Sequence, residues 1–207
     1  MIGVVDYGVG NLASVVNMLR RAGADVHVVA TAKDLMRMHK LLLPGVGHFD
    51  HGMKQLNSSG LRVALDNFAL DLRRPVLGIC LGGQILGEGS EEGSEPGLGW
   101  IPMTCRRFPD SPEFRVPHMG WSALNVKRYS PLLSAIAPES RFYFVHSYFM
   151  NVRDDQSVVA TASHGIEFSC AVQKGLIFGT QFHPEKSLRH GLAVLKAFAQ
   201  LEAPVGD

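Results

Sequence analysis

Cysteine is scarce in this chain: Cys80, Cys105 and Cys170 are the only ones in 207 residues. An odd, sparse set without Cys-x-x-Cys spacing argues against a disulfide framework and against a zinc site. Charge of one sign is also missing. The formal net charge is +1, with no basic stripe and no acidic block, so nothing invites nucleic acid or an anionic membrane. No apolar run approaches the ~20 residues that a membrane helix needs. The first residues, MIGVVDYG, lack a charged leader and a cleavage site, and read as a first strand. No repeat, low-complexity stretch or linker divides the chain. What is left is an ordinary globular composition, expected to form one domain over residues 1–207, with the cytoplasm as default compartment.

The first half alternates strand and helix. Ile2 to Asp6 is a short apolar run that ends in the Gly-rich turn at Tyr7 to Gly10. A helix follows from about Asn11 to Arg21, with Leu12, Val15, Val16 and Leu19 at helical spacing, and Gly23 closes it. Asp25 to Ala30 is a second strand, Lys33 to Met38 a short helix, and Lys40 to Leu43 a third strand cut off by Pro44-Gly45-Val46-Gly47. A helix over Leu61 to Asp71, a strand over Pro75 to Ile79 and a helix over Leu81 to Glu88 continue the rhythm. This pattern predicts an α/β fold with a mostly parallel sheet flanked by helices. From Gly97 to Gln173 the strands are short: Ile101–Arg107, Arg141–Tyr148, Val158–Ala162 and Glu167–Val172, expected as antiparallel additions. Leu176 to Gln181 returns to an apolar strand, and Leu188 to Leu201 is an amphipathic closing helix with Leu192, Leu195 and Phe198 toward the core.

Gly78-Ile79-Cys80-Leu81-Gly82 lies between an apolar strand and an apolar helix. It has the form of a nucleophile elbow with Cys in place of Ser. Small residues on either side allow the sharp turn, which lifts the thiol above the C-terminal edge of the sheet. The helix start behind it favours thiolate. Read alone, the same segment also fits a buried structural cysteine before a helix. The second half of the case is Gln181-Phe182-His183-Pro184-Glu185, after another apolar strand. A cysteine nucleophile needs a base within reach, and the base needs an acceptor that orients it. His183 and Glu185 supply both at the same sheet edge. Oxyanion donors would complete the set: the backbone N–H of Leu81 and, from the glycine-rich turn, that of Val46, although Pro44–Gly47 also fits an ordinary turn.

GICLGGQ, QFHPEKS and PGVG together resemble the class I glutamine amidotransferases, whose triad is Cys-His-Glu. Asp6 to Leu12, Pro117-His118-Met119-Gly120-Trp121 and Phe144-Val145-His146-Ser147-Tyr148 narrow the likeness to glutaminase subunits of imidazole glycerol phosphate synthases. The resemblance implies that Cys80 attacks the glutamine amide, that His183 protonates the leaving ammonia and then activates water, and that Glu185 orients His183. It also implies that Gln84 helps hold the thioester or glutamine, that Glu92 binds the α-amino group, and that His146, Ser147 and Tyr148 bind the carboxylate end, largely through backbone. Gly47 would line the pocket. No cofactor or metal is implied. Ammonia would pass into a synthase (cyclase) subunit with a (β/α)8 barrel, in a heterodimer, for imidazole glycerol phosphate and AICAR formation in histidine biosynthesis. Asn11, Trp121, Tyr143 and Lys186 are the implied partner face, although Trp121 also fits a core aromatic.

Some residues depart from that pattern. Gly83 stands where a bulkier apolar residue, often Met, is usual, which is expected to loosen the pocket wall. Ser122 follows Trp121 where Asn is commoner. PGVGHFDHGM, GLGWIP and SHGIEF are also similar to a paralogous branch that feeds ammonia to sugar amidotransferases of bacterial surface polysaccharides. A self-sufficient cysteine hydrolase and a binding module with a dead site are the competing classes. His48 and His51, three apart at a helix start, do not read as a metal site. Cys105 and Cys170 lie in strand-like runs and read as small core residues.

Overall fold

In the computed structural model, which describes residues 1–202, the first half alternates strand and helix as its pattern predicts, with one helix, Phe49–Ser58, that the sequence pattern did not delimit. It contains β1 (Ile2–Val5), α1 (Leu12–Arg21), β2 (Val26–Val29), α2 (Ala32–Met36), β3 (Lys40–Gly45), α3 (Phe49–Ser58), α4 (Arg62–Asp66), β4 (Val76–Cys80) and the single turn α5 (Leu81–Gln84). The second half adds β5 (Gly89–Ser90), β6 (Met103–Arg107), β7 (His118–Ala123), β8 (Asn125–Val126), β9 (Arg141–His146), β10 (Tyr148–Val152), β11 (Val158–His164), β12 (Ile166–Lys174), β13 (Ile177–Thr180) and α6 (Leu188–Gln200). The fold is α/β. No helix among the described residues is long and apolar enough to cross a membrane.

Five strands in the order β2-β1-β3-β4-β13 are mutually parallel. β3 and β4 are buried along their whole length, because helices cover both faces. That is why they read as unbroken apolar runs and not as alternating ones. The register sets Gly45 beside Cys80, and Thr180 beside Ile79. So the Pro44–Gly47 turn, the elbow and the segment after β13 emerge side by side at one edge. Beneath them, Leu77, Phe178, Leu195 and Phe198 are fully buried in one cluster that locks α6 onto the sheet. Each such side chain contributes about 1.5–3 kcal/mol by leaving water.

Beyond β13 the sheet continues with antiparallel β12, β10 and β6, with β11 and β8 branching from β12. Here the structure corrects several expectations. The single strand expected over Arg141–Tyr148 is two strands that part at Ser147. β9 pairs with β7 in a separate two-stranded sheet, whereas β10 joins the main sheet. Alternation of apolar residues continues through the break, so the pattern hides it. The helix expected over Leu81–Glu88 stops after one turn at Gln84. Its continuation is captured by strand-like partners: Glu88 N–H donates to the Met103 carbonyl, and the Leu86 carbonyl accepts from Trp100 and Ile101. The segment Leu61–Asp71 is α4 followed by a π turn at Asn67–Asp71. Cys105 and Cys170 are fully buried core residues.

Candidate active site

Cys80 ends β4 with φ +54° and ψ −111°, a conformation a side-chain-bearing residue adopts only when its surroundings impose it. The surroundings are backbone. A Cβ on Gly82 would lie 1.9 Å from the Leu43 carbonyl oxygen, and one on Gly45 would lie 2.5 Å from the Gly82 nitrogen. These glycines let β3 close against the elbow and hold the thiol outward. Cys80 is 7% exposed. It opens into a cavity of about 450 Å³ lined in part by Val46, Gly47, Leu81, Gln84, Glu92 and His183. Because α5 is one turn long, it offers little aligned dipole, and the helix-start argument for the thiolate is weaker than the sequence suggests.

The positive partner of the sulfur is His183. The turn after β13 is pinned from below: His183 N–H donates to the Tyr143 carbonyl at 2.9 Å, and Ser187 Oγ donates to the His183 carbonyl at 2.6 Å. Pro184 begins a short 3-10 turn that swings Glu185 back under the imidazole. His183 Nδ1 donates to Glu185 Oε1 at 2.7 Å, between side chains only 2% and 3% exposed. Nε2 is buried and has no regular hydrogen-bond partner among the described residues. It is turned to the Cys80 sulfur. Burial pulls the His183 pKa down, but the adjacent Cys80 sulfur and the hydrogen-bonded Glu185 carboxylate outweigh it, lifting the pKa to about 10. A protonated imidazole beside the sulfur is the state this geometry favours at neutral pH.

The other residues expected at the site gather around the same cavity. Glu92 is half-buried, and its Oε2 accepts from the Phe49 N–H at 2.8 Å. His146, Ser147 and Tyr148 line the wall at the β9–β10 break. The His146 side chain is not free for substrate, however. Its Nδ1 donates to the Tyr148 carbonyl at 2.8 Å, and Nε2 meets His118 Nδ1 at 3.2 Å. Burial first, then neighbouring His118, His164 and His183, push its pKa down to about 3 against the opposing Tyr148 bond, so it is neutral. A carbonyl only accepts, so Nδ1 carries the hydrogen and Nε2 accepts from His118. Ser122 Oγ, 3.1 Å from His118 Nε2, ends the chain.

Trp121 is 42% exposed, not a core residue. It meets Tyr143 edge-on, with ring centroids 5.9 Å apart, and Lys186 Nζ lies 5.7 Å from the Tyr143 centroid. Asn11 caps α1 by accepting from the Ser14 N–H and reaches the cavity rim, as Lys186 does. Exposed Met119, Val46 and Leu188 extend this face. Gly83 does not loosen a pocket wall. It lies away from the cavity, and a Cβ there would be 2.7 Å from the Met150 Cε, so Met150 already fills the space. His48 caps α3, its Nδ1 accepting from the Asp50 N–H at 3.2 Å.

Sequence reasoning missed Gln181 and Asp50. Gln181 Nε2 is 3.8 Å from the Cys80 sulfur. Its only signal is a polar residue ending an apolar strand two places before His183. Asp50 accepts from the Ser94 and Glu95 N–H groups at 3.1 and 2.9 Å, clasping the turn beside Glu92. The contact spans more than forty residues of chain, and nothing local announces it.

The family model described as glutamine amidotransferase class-I matches residues 3–200. The chain is 48% identical to a Pseudomonas aeruginosa protein named imidazole glycerol phosphate synthase subunit HisH 2, across 97% of this chain and 100% of that one. It is 42% identical to the imidazole glycerol phosphate synthase subunit HisH of Leptospira borgpetersenii, across 97% and 100%. Among solved structures, a chain of PurLQS from Thermotoga maritima shares the fold with a TM-score of 0.73. Its identity is 19%, covering 95% of this chain and 96% of that one.

Proposed function

The chain belongs to the class I glutamine amidotransferase family, and from that premise we propose that it is the glutaminase subunit of an imidazole glycerol phosphate synthase. The observation that carries the chemistry is the buried Cys80–His183–Glu185 line opening into one cavity beside Glu92. In this reading the Cys80 thiolate attacks the side-chain amide carbon of L-glutamine. The tetrahedral oxyanion is held by backbone N–H groups of Leu81 and Val46. The intermediate collapses as His183 gives its proton to the departing nitrogen, leaving ammonia and a γ-glutamyl thioester. Neutral His183 then takes a proton from water, the hydroxide adds to the thioester, and the C–S bond breaks to give glutamate and the thiolate. Glu185 keeps Nδ1 protonated throughout, so Nε2 is the working nitrogen.

Glu92 is proposed to read the α-amino group, with Gly47, Gln84 and the backbone of His146, Ser147 and Tyr148 completing the glutamine pocket. A charged amine and carboxylate are the handles that distinguish glutamine from other amides. Asn11, Trp121, Tyr143 and Lys186 are proposed as the face for the cyclase subunit, a (β/α)8 barrel, in a cytoplasmic heterodimer. Half-exposed Trp121, edge-on to Tyr143, and exposed Met119 on the same strand support docking on this face. The whole chain, 1–207, is taken as one domain.

The test is glutamine hydrolysis with and without a cyclase subunit, joined to complementation of a histidine auxotroph that lacks its glutaminase. Ammonia release raised by the cyclase, with growth restored, is the expected result. Glutaminase activity without growth would instead favour supply to a surface-sugar amidotransferase. Peptide hydrolysis with no action on glutamine would overturn the reading.

A further inference from the structure

The triad leaves one side of the Cys80 sulfur unaccounted for, and a buried amide occupies it. Gln181 is 0% exposed, and its backbone N–H is held by the Cys170 carbonyl at 2.9 Å. The orientation of its side chain follows from hydrogen-bond logic. The Tyr148 carbonyl can only accept, so the Gln84 atom 2.9 Å from it is the Nε2 donor. That same Nε2 lies 3.1 Å from Gln181 and must meet the oxygen there, Oε1. The Gln181 nitrogen is thereby left facing the sulfur, at 3.8 Å. We infer that Gln181 is a catalytic hydrogen-bond donor to Cys80, with Gln84 as the positioning residue that fixes its amide.

The consequence for the reaction is asymmetric. A thiolate accepts an N–H far better than a neutral thioester sulfur does. Gln181 therefore stabilises the resting thiolate and releases that stabilisation when the γ-glutamyl group is attached. When hydroxide has added and the C–S bond breaks, the electron pair returns to sulfur, and the Gln181 N–H stabilises the returning charge. The donor acts on the leaving group of the second half-reaction, where the oxyanion donors act on oxygen. This role rests on the glutaminase reading only for its substrate; the contact with sulfur stands without it.

The experiment is the pH dependence of Cys80 alkylation by iodoacetamide in the full chain, read by peptide mass mapping, for wild type, Gln181→Met, Gln181→Glu and Gln84→Met. Hydrogen bonds to charged groups commonly shift such profiles, and for this long contact the expected rise for Gln181→Met is about one pH unit. Gln84→Met should move it the same way by less, because Gln181 remains but is free to turn. Gln181→Glu should move it furthest, by setting a carboxylate beside the thiolate. A Gln181→Met profile superimposable on wild type, in protein of unchanged circular dichroism, would overturn the inference. Should that variant fail to fold, unmoved profiles in Gln181→Glu and Gln84→Met would overturn it equally. Alkylation needs neither glutamine nor a partner. A wild type that alkylates normally but hydrolyses no glutamine would count against the proposed function and leave this result standing.

Discussion

Replacing Glu185 by Gln separates the two tasks assigned to the acid: holding His183 in place and holding its charge. The amide is nearly the same size and still reaches Nδ1, but it carries no charge and can present either oxygen or nitrogen. In the wild type the bond is 2.7 Å long between almost fully buried groups. A charge-assisted bond of this kind contributes about 1.5–3 kcal/mol. That corresponds to about one to two pH units on the imidazole. His183 is expected to fall from about 10 by that amount, with Cys80 still supporting the protonated form. Rotamers that turn the amide nitrogen toward Nδ1 force the hydrogen onto Nε2 and leave no base for water. Together these losses predict a fall in kcat of about 10²–10⁴ with little change in KM. The assay is steady-state glutamine hydrolysis in the cyclase complex across pH. Stability gives a second readout. A folded His pKa raised above its unfolded value stabilises fully below about 6.5 and loses that stabilisation as pH rises through about 10. The wild-type advantage over Glu185→Gln in urea should therefore shrink on the alkaline side. A kcat within about threefold of wild type would refute the reasoning about Glu185.

Other outcomes follow from the same geometry. Asp50→Asn should loosen the turn carrying Glu92 and raise the KM for glutamine about tenfold with kcat nearly unchanged. Gly93→Ala should do the same, since its Cβ would sit 2.0 Å from Asp50 Oδ1; an unchanged KM in both would separate the clasp from substrate binding. Gly83→Met, toward the commoner residue, should destabilise the protein by about 1–3 kcal/mol in urea unfolding because Met150 holds the space. Trp121→Ala should weaken cyclase binding by about 30-fold in calorimetry while barely changing the unfolding midpoint of the isolated subunit, since the ring is half-exposed. His146 is neutral when folded, with a pKa near 3, so its stabilisation is complete above about 6.5 and is lost as pH falls toward 3. The drop in urea midpoint between pH 7 and pH 4.5 should be smaller in His146→Gln than in wild type.

The alternation of short apolar runs with amphipathic stretches was enough to specify the parallel half of the sheet. Buried parallel strands must be apolar on both faces, and that demand is written locally. The elbow and the proposed triad were legible for a related reason. Strained turns demand glycine at fixed offsets, and His183 and Glu185 work across two residues of chain. What sequence pattern could not give was anything decided by partners distant along the chain. The helix after Cys80 ends early because Met103, Trp100 and Ile101 claim its continuation. The strand through Ser147 divides because two different sheets compete for it, while the residue alternation runs on unchanged. Gly83 looked like a gap until Met150 filled it, and the His146 ring has both its nitrogens occupied by His118 and the Tyr148 carbonyl, which leaves its backbone to face the cavity. Asp50 and Gln181 acquire meaning only from groups that folding brings to them. By itself, the sequence determined which residues could do the chemistry, because reactivity depends on residue type and short spacing. Tertiary structure decided which of them face the cavity, which hold the others in place, and what lies behind the sulfur, because hydrogen bonds depend on neighbours in space.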